Sequence, residues 1–186
     1  MRAYILVVLL LTTSLFSGEY QVDKQADNLV KFISDAPFEN FEGITNRIGG
    51  YLYYGDTSLT NNSQIYMEVD LNSLDTGIGL RNRHMRENYL KTDEFPITWF
   101  KGKIISSRIN ADSSYEIQAQ GTIFIHGVEK ELQISAELRE RENGYRIHTT
   151  FQIKLSDFKI DIPSIMFYKI NEMIELQIDF YLKEVD

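Results

Sequence analysis

Apolar and polar residues alternate with a period of two along most of this chain, and no other feature restricts its fold as strongly. The alternation is clearest in QIYMEVDL, residues 64–71. Successive side chains of a β-strand point to opposite faces, so this spacing places one apolar face inward. Six further runs share the spacing, and they begin at Val30, Thr98, Ile117, Leu132, Ile147 and Ile174.

The pattern predicts an all-β domain of antiparallel strands, because polar turn sequences at 110–114, 126–129 and 141–144 separate successive runs. A chain of 186 residues with 43% hydrophobic side chains suffices for one buried core, so we expect a single domain. A closed barrel and a sandwich of two sheets both satisfy this periodicity. Residues 80–91 are the predicted helical interruption, since their apolar residues recur at helical spacing.

Residues 1–18 have the layout of a secretory signal peptide. Arg2 precedes an apolar run at 3–11, and small polar residues follow it. The run is shorter than the ~20 residues that a permanent transmembrane helix needs. We therefore expect residues 19–186 to form an exported domain, periplasmic or secreted, with no stable membrane insertion.

Composition and charge exclude several kinds of function. The chain has no Cys, which excludes disulfides, a thiolate nucleophile and Cys-ligated metals. A formal net charge of -8 argues against nucleic-acid binding and repels anionic membrane surfaces at long range. His84, His126 and His148 show none of the spacings of a metal site, so we expect each to have a separate structural role. No residue pattern predicts a catalytic site, a metal or a cofactor.

Five basic side chains lie between residues 81 and 91, and they are Arg81, Arg83, His84, Arg86 and Lys91. We expect Arg83 and Arg86 to be solvated on the polar side of the short helix and to pair with acids such as Glu87, Asp93 and Glu94. His84 is on the same helical face as Leu80, from which it could present a polar group to a ligand.

Eight apolar side chains fall on inferred inward strand positions: Phe32, Met67, Val69, Phe100, Ile123, Ile134, Phe151 and Ile174. Either they fill a packed core or they line a cavity. The connection at 162–170 is unusually apolar and includes Met166 and Phe167. Since loops are normally polar, this segment is expected to plug the barrel or to cover a ligand.

Three sequence blocks, in this order, resemble those of the YceI-like polyisoprenoid-binding proteins. They are SLDTGIGLRNRHMRENYLKTDEFPITWF at 73–100, GTIFIHGVEKELQI at 121–134 and LSDFKIDIPSIMFYKINEMIELQIDFYL at 155–182. The sequence departs from the family pattern at three places: at Asn82, where an acidic residue is frequent, at Lys159, where glycine is frequent, and at Lys154 with Leu155, where an arginine is common. The resemblance implies a single antiparallel lipocalin-like β-barrel that encloses a long apolar cavity for an isoprenoid chain. It also implies that Arg81 braces the helix or faces the mouth of the cavity.

On this basis we expect an exported, non-catalytic binding protein for a long apolar isoprenoid, such as a polyprenyl chain or a quinone tail, that it carries or stores. The alternatives are an enzyme acting on an isoprenoid lipid and a structural β-domain with a filled core. The oligomeric state is left open, a homodimer included. The expected ligand-binding residues are the eight inward side chains together with Arg81, His84, Met166 and Phe167.

Overall fold

A computed structural model describes residues 18–35, 40–55, 58–162, 164–165, 168–169 and 171–185. Its strands are β1 Gly18–Val22, β2 Leu29–Ser34, β3 Phe41–Thr45, β4 Ile48–Tyr54, β5 Gln64–Asp70, β6 Ile97–Ile109, β7 Tyr115–Ile125, β8 Val128–Arg141, β9 Gly144–Lys154, β10 Ser164–Ile165, β11 Tyr168–Lys169 and β12 Met173–Glu184. The predicted export signal lies outside the described residues except for Gly18, the first residue of β1.

The strands form a closed antiparallel barrel. β1 and β2 lie one after the other along the same edge of β12, with Tyr20 opposite Glu184 and Ser34 opposite Ile174. β4 pairs with β1, and β3 pairs with β2. β1 and β2 together therefore act as one interrupted strand of the barrel, and β3 and β4 together act as the next. With β5, β6, β7, β8, β9 and β12 they complete an eight-stranded barrel. The predicted barrel is confirmed, and the sandwich is excluded.

Two glycines face each other across β6 and β7, where the two strands approach each other closely. Gly102 is the register partner of Gly121. A Cβ atom on Gly121 would lie 2.3 Å from the carbonyl oxygen of Lys101, and one on Gly102 would lie 2.5 Å from that of Gln120. Because backbone occupies the space of both side chains, this close approach of the two strands requires glycine.

A short helix covers the barrel end at which β5 finishes, hereafter the helix end. A 3₁₀ turn, Leu71–Ser73, leads to the α-helix α1, Gly79–His84, which continues as a π-helical turn, Met85–Leu90. Lys91 then ends the helix with a φ of 47°. The predicted helix at 80–91 is confirmed to within a residue, although its second half is not α-helical. Among the described residues, no helix is both long enough and apolar enough to span a bilayer.

Three tyrosines close the opposite end, hereafter the tyrosine end. The hydroxyl of Tyr54 is 3.3 Å from those of both Tyr20 and Tyr145, and the ring centroids of Tyr20 and Tyr145 are 5.0 Å apart. Burial is the main cause that raises the pKa of Tyr54 and of Tyr145 to about 12, and it also raises the pKa of Tyr20. All three phenols are therefore neutral at ordinary pH.

The connection between β9 and β12 begins with a 3₁₀ turn, Leu155–Phe158, in which the side chains of Leu155 and Phe158 are buried. The short strands β10 and β11 pair antiparallel within it. The predicted apolar cover falls in this segment, but Met166 and Phe167 lie outside the described residues.

Candidate functional site

The barrel encloses a cavity of about 580 Å³. Side chains from all eight strands of the barrel and from the helix line it, and most of them are aliphatic or aromatic. Barrels of eight strands are wide enough either to be filled by side chains or to hold one small ligand. This interior contains open space, which supports a ligand cavity over a packed core.

Few polar groups reach the cavity, and two of those are already engaged. The Thr98 hydroxyl donates to the carbonyl oxygen of Phe124 at 2.6 Å, and the Thr149 hydroxyl donates to that of Ser135 at 2.7 Å. Neither hydroxyl proton is therefore available to a ligand. Arg81 and His84 also line the cavity, and both belong to the short helix. The cavity thus has an apolar body and carries the Arg81 guanidinium and the His84 imidazole at the helix end.

The exposure of the lining side chains shows where the cavity opens. At the tyrosine end, Leu138 and Leu182 are 0% and 1% exposed. At the helix end, Ile78 and Leu80 are 50% and 55% exposed, and they line the same cavity. The cavity therefore opens at the helix end.

Arg81 is held at this opening by the turn that precedes the helix. Its Nε donates to Thr76 Oγ1 at 3.1 Å and its Nη2 to the Thr76 carbonyl oxygen at 3.3 Å. The guanidinium also lies 4.9 Å from the centroid of the Phe41 ring, a cation–π contact with β3. Arg81 thus braces the helix and lines the cavity, which are the two roles considered for it.

Asn82 fastens the same turn and explains why an amide suits this position. Its Oδ1 accepts hydrogen bonds from the backbone N–H and the hydroxyl of Thr76, at 2.8 and 2.7 Å. Its Nδ2 donates to Asp75 Oδ1 at 2.6 Å. This bond, followed by one from the N–H of Gly77 and by the charge of Arg86, lowers the pKa of Asp75. A carboxylate in place of Asn82 could accept from Thr76 but would repel Asp75.

The prediction that Arg86 is solvated is wrong. Its Nη2 donates to the carbonyl oxygen of Leu74 at 2.8 Å, and its Nε is buried without a hydrogen bond to any described residue. The π-helical turn widens the helix and directs Arg86 towards residues 71–75. Arg83 is exposed, as predicted. Among the described residues, neither arginine pairs with the acids at 87, 93 or 94.

Ten of the twelve residues predicted to bind a ligand come together around the cavity. They are Phe32, Met67, Val69, Arg81, His84, Phe100, Ile123, Ile134, Phe151 and Ile174. The other two, Met166 and Phe167, lie outside the described residues. Their role as ligand contacts stays a prediction for all twelve.

Sequence reasoning predicted Arg81 and His84 from the helix but missed the apolar side chains of the helix and of the segment before it. Ile78, Met85, Tyr89 and Leu90 also line the cavity. A helical period of 3.6 does not place Leu80, Met85 and Leu90 on one face, whereas the wider π-helical turn brings residues five apart together. The usable signal was the apolar character of these positions, not their spacing.

The three histidines lie in different parts of the described structure. His126, in the β7–β8 turn with a φ of 50°, places its Nδ1 3.0 Å from the Phe158 carbonyl oxygen. His148 lies outside the barrel, 3.3 Å from a carboxylate oxygen of Asp179. In the described part of the chain, His, Asp and Glu side chains form no group of three that could hold a metal ion.

An eight-stranded antiparallel barrel with an apolar cavity open at one end defines the class of lipocalin-like barrels. Residues 20–182 match the YceI-like domain family, and the chain belongs to that family. No curated protein matched the sequence.

Solved structures share the fold at low sequence identity. BcnA of Burkholderia cenocepacia has a TM-score of 0.71 and 15% identity, over 86% of this chain and 98% of its own. A polyisoprenoid binding domain from Saccharophagus degradans, implicated in plant cell wall breakdown, has a TM-score of 0.71 and 15% identity, over 89% and 98%. The YceI protein of Campylobacter jejuni has a TM-score of 0.64 and 20% identity, over 82% and 90%.

Proposed function

We propose that this protein binds a long isoprenoid lipid without transforming it, and that it carries or stores this lipid outside the cytoplasm. The observation that carries the proposal is the cavity of about 580 Å³, whose body is apolar and whose open end carries Arg81 and His84. An isoprenoid has the same division, with a long hydrocarbon chain and a polar head. The description of the Saccharophagus degradans domain as polyisoprenoid binding supports the choice of lipid.

The driving force is the removal of the hydrocarbon chain from water. Burial of each CH₂ group stabilises the complex by about 0.8 kcal/mol, and the apolar walls require no hydrogen bonds from the chain. Since the lining threonines already donate to the backbone, no buried donor of theirs would lose a partner when the lipid binds. The cavity therefore suits a hydrocarbon better than a polar metabolite.

The test is native mass spectrometry of the protein purified from its own compartment, followed by extraction and identification of the lipid. Ile123→Trp places a larger ring in the cavity, and Gln120→Trp adds the same ring on the outer face of the same strand. We expect Ile123→Trp to lose the lipid and Gln120→Trp to keep it, with both variants folded.

Two results would contradict the proposal. If Ile123→Trp is strongly destabilised and the parent protein carries no lipid, the interior behaves as a packed core. If the lipid is recovered chemically altered after incubation with the protein, the protein is an enzyme and the non-catalytic role is wrong.

A further inference from the structure

The strands β8 and β9 separate from each other towards the helix end of the barrel. Their register runs from the tyrosine end only as far as Ala136, which is opposite Thr149. Beyond this pair, residues 128–135 of β8 and 150–154 of β9 are both described and have no register partners on each other. On their other sides the same two segments are paired throughout, β8 with β7 and β9 with β12. The barrel wall therefore contains a seam between β8 and β9 that no ladder of backbone hydrogen bonds closes.

The seam begins where the barrel wall separates the cavity from a depression in the outer surface. Ala136 and Thr149 line the cavity. Both residues also line the outer depression, of about 330 Å³, together with Ser135 and Thr150. The Thr149 hydroxyl donates to the Ser135 carbonyl oxygen at 2.7 Å, at the point where the ladder would otherwise continue. The last paired residues thus bound the cavity on one side and the depression on the other.

Three apolar side chains fill the seam nearer to the helix end. They are Leu155, Phe158 and Ile160 of the connection that follows β9, hereafter the wedge, and they are 8%, 3% and 5% exposed. The wedge belongs to one apolar cluster with Leu132 of β8 and Ile153 of β9. Leu155 and Ile160 also line the cavity. The wedge is therefore a part of the cavity wall that is held in place by side-chain packing.

The two sides of the wedge are held by different kinds of contact. Towards β12, the backbone N–H of Leu155 donates to the carbonyl oxygen of Glu172 at 2.9 Å. Towards β8, Lys130 Nζ lies 2.8 Å from Asp157 Oδ2, and Nδ1 of His126 lies 3.0 Å from a backbone carbonyl oxygen of the wedge. The lysine and aspartate side chains are 40% and 45% exposed, and ion pairs between exposed side chains contribute little to stability. The contact with β8 is therefore the one that can part while the other side stays attached.

The helix on the other side of the opening is fastened by more bonds. Arg81 and Asn82 both bond to Thr76, and Arg86 donates to the carbonyl oxygen of Leu74. The wedge, in contrast, has no backbone hydrogen bond to β8 among the described residues. The opening of the cavity can therefore widen more readily on the wedge side than on the helix side.

We propose that the seam is a lateral gate, which widens the opening at the helix end when the wedge comes away from β8, so that an isoprenoid lipid can enter and leave. The gate rests on the proposed function, because it is a route for the lipid that the cavity is proposed to bind. Opening breaks side-chain contacts but no strand ladder, so it belongs to the local openings that need far less than global unfolding. A methyl-branched chain then passes a slit in the wall as well as the mouth beside the helix.

The test uses the absence of native Cys and the single tryptophan of the full chain. In the gate variant, Lys130→Cys and Asp157→Cys are joined by a short, reducible bis-methanethiosulfonate cross-linker, which holds the wedge on β8. In the control variant, the same reagent joins Gln120→Cys and Gln133→Cys, exposed register partners on β7 and β8. Trp99 lines the cavity, so the quenching of its fluorescence by all-trans-retinol, an isoprenoid alcohol that absorbs tryptophan emission, reports loading.

We expect the cross-link of the gate variant to slow both the loading of retinol and its release into lipid vesicles by about tenfold or more, because the gate can no longer open. The Kd of retinol should stay within about twofold of the parent value, since a gate changes the path and not the bound state. Reductive cleavage of the cross-link should restore both rates. In the control variant the cross-link should change either rate by less than about twofold, because it joins strands that are already paired. Unchanged rates in the gate variant, equal slowing in both variants, or no quenching of the tryptophan by retinol would each overturn the gate.

Retention of isoprenoid lipid by the parent protein separates this inference from the proposed function. A protein that retains the lipid, but whose retinol rates do not respond to the cross-link, overturns the gate alone. A protein that takes up retinol at a rate controlled by the cross-link, but carries no lipid of its own, contradicts the proposed function and leaves the gate in place.

Discussion

Replacement of Arg86 by methionine should destabilise the fold, whereas the same replacement of Arg83, three residues earlier, should not. Methionine is unbranched and flexible, so Arg86→Met keeps an apolar stem but removes the donor to the Leu74 carbonyl oxygen, 2.8 Å away. Leu74 is buried, and its carbonyl group would lose this partner. Arg83 is exposed and has no such bond, so Arg83→Met is a matched control.

The expected size follows from two opposing effects. A hydrogen bond to a charged group contributes about 1.5 to 3 kcal/mol. The buried Nε of Arg86 lacks a partner among the described residues, so its removal recovers part of a desolvation cost. We therefore expect Arg86→Met to lower the free energy of unfolding by about 1 to 2 kcal/mol. Arg83→Met should stay within about 0.5 kcal/mol of the parent.

Urea denaturation gives the free energies, and thermal denaturation gives an independent check. For a chain of this length, 1 kcal/mol corresponds to about 2 to 4 °C in Tm, so Arg86→Met should unfold roughly 2 to 8 °C below the parent. Both measurements are made on lipid-free protein, because a bound ligand would add its own stabilisation. Equal, small effects of the two replacements would refute the bracing role of Arg86.

Three further predictions concern the barrel. Because the pKa of Tyr54 is raised from 10.0 to about 12, the neutral phenol contributes its full share of the free energy of unfolding below pH 10, and this share is lost as the pH rises to 12. In urea titrations across this range, Tyr54→Phe should make the fall of the free energy of unfolding with pH less steep. An unchanged slope would contradict the burial of the phenol. Gly121→Ala should cost about 1 to 3 kcal/mol, because its Cβ meets the backbone of β6, and an unchanged urea midpoint would show that the strands can separate there. Leu182→Ala should lower the free energy of unfolding by about 2 to 5 kcal/mol and Leu80→Ala by less than about 1, since Leu182 is buried whereas Leu80 is exposed at the helix end. Similar losses for the two variants would mean that Leu80 is packed.

The period-two pattern was enough to predict the strands whose faces differ in polarity, but not the remaining strands. β4 contains YLYY at 51–54, in which tyrosines occupy both faces. The outward Tyr51 packs against Tyr66 of β5, with ring centroids 6.0 Å apart, whereas Tyr54 joins the closed end of the barrel. A tyrosine ring is apolar at its body and polar at its tip, so it suits either face and conceals the alternation.

The residues of the candidate site were predicted correctly where the backbone is regular, and not where it is irregular. Strand positions such as Met67 and Ile123 followed from a fixed period, and they line the cavity. The prediction for Arg86 in the helix was wrong, because residues 85–90 form a π-helical turn. No periodicity of the sequence predicts such a turn. The choice between a filled and an open interior depends on the summed volumes of facing side chains, which a pattern of apolar positions does not contain.

Because the tyrosine end is closed, the barrel is a tube that is open at one end only. A hydrocarbon chain that enters at the helix end must withdraw along the same path, and each CH₂ group seated within the tube adds about 0.8 kcal/mol to the work of withdrawal. The residence time of a lipid would therefore lengthen with chain length until the chain reaches Leu138 and Leu182, the buried side chains that line the cavity at the tyrosine end, and no further beyond that depth. The depth of the cavity thus sets a limiting chain length. Above this length, additional CH₂ groups do not increase the residence time of the lipid.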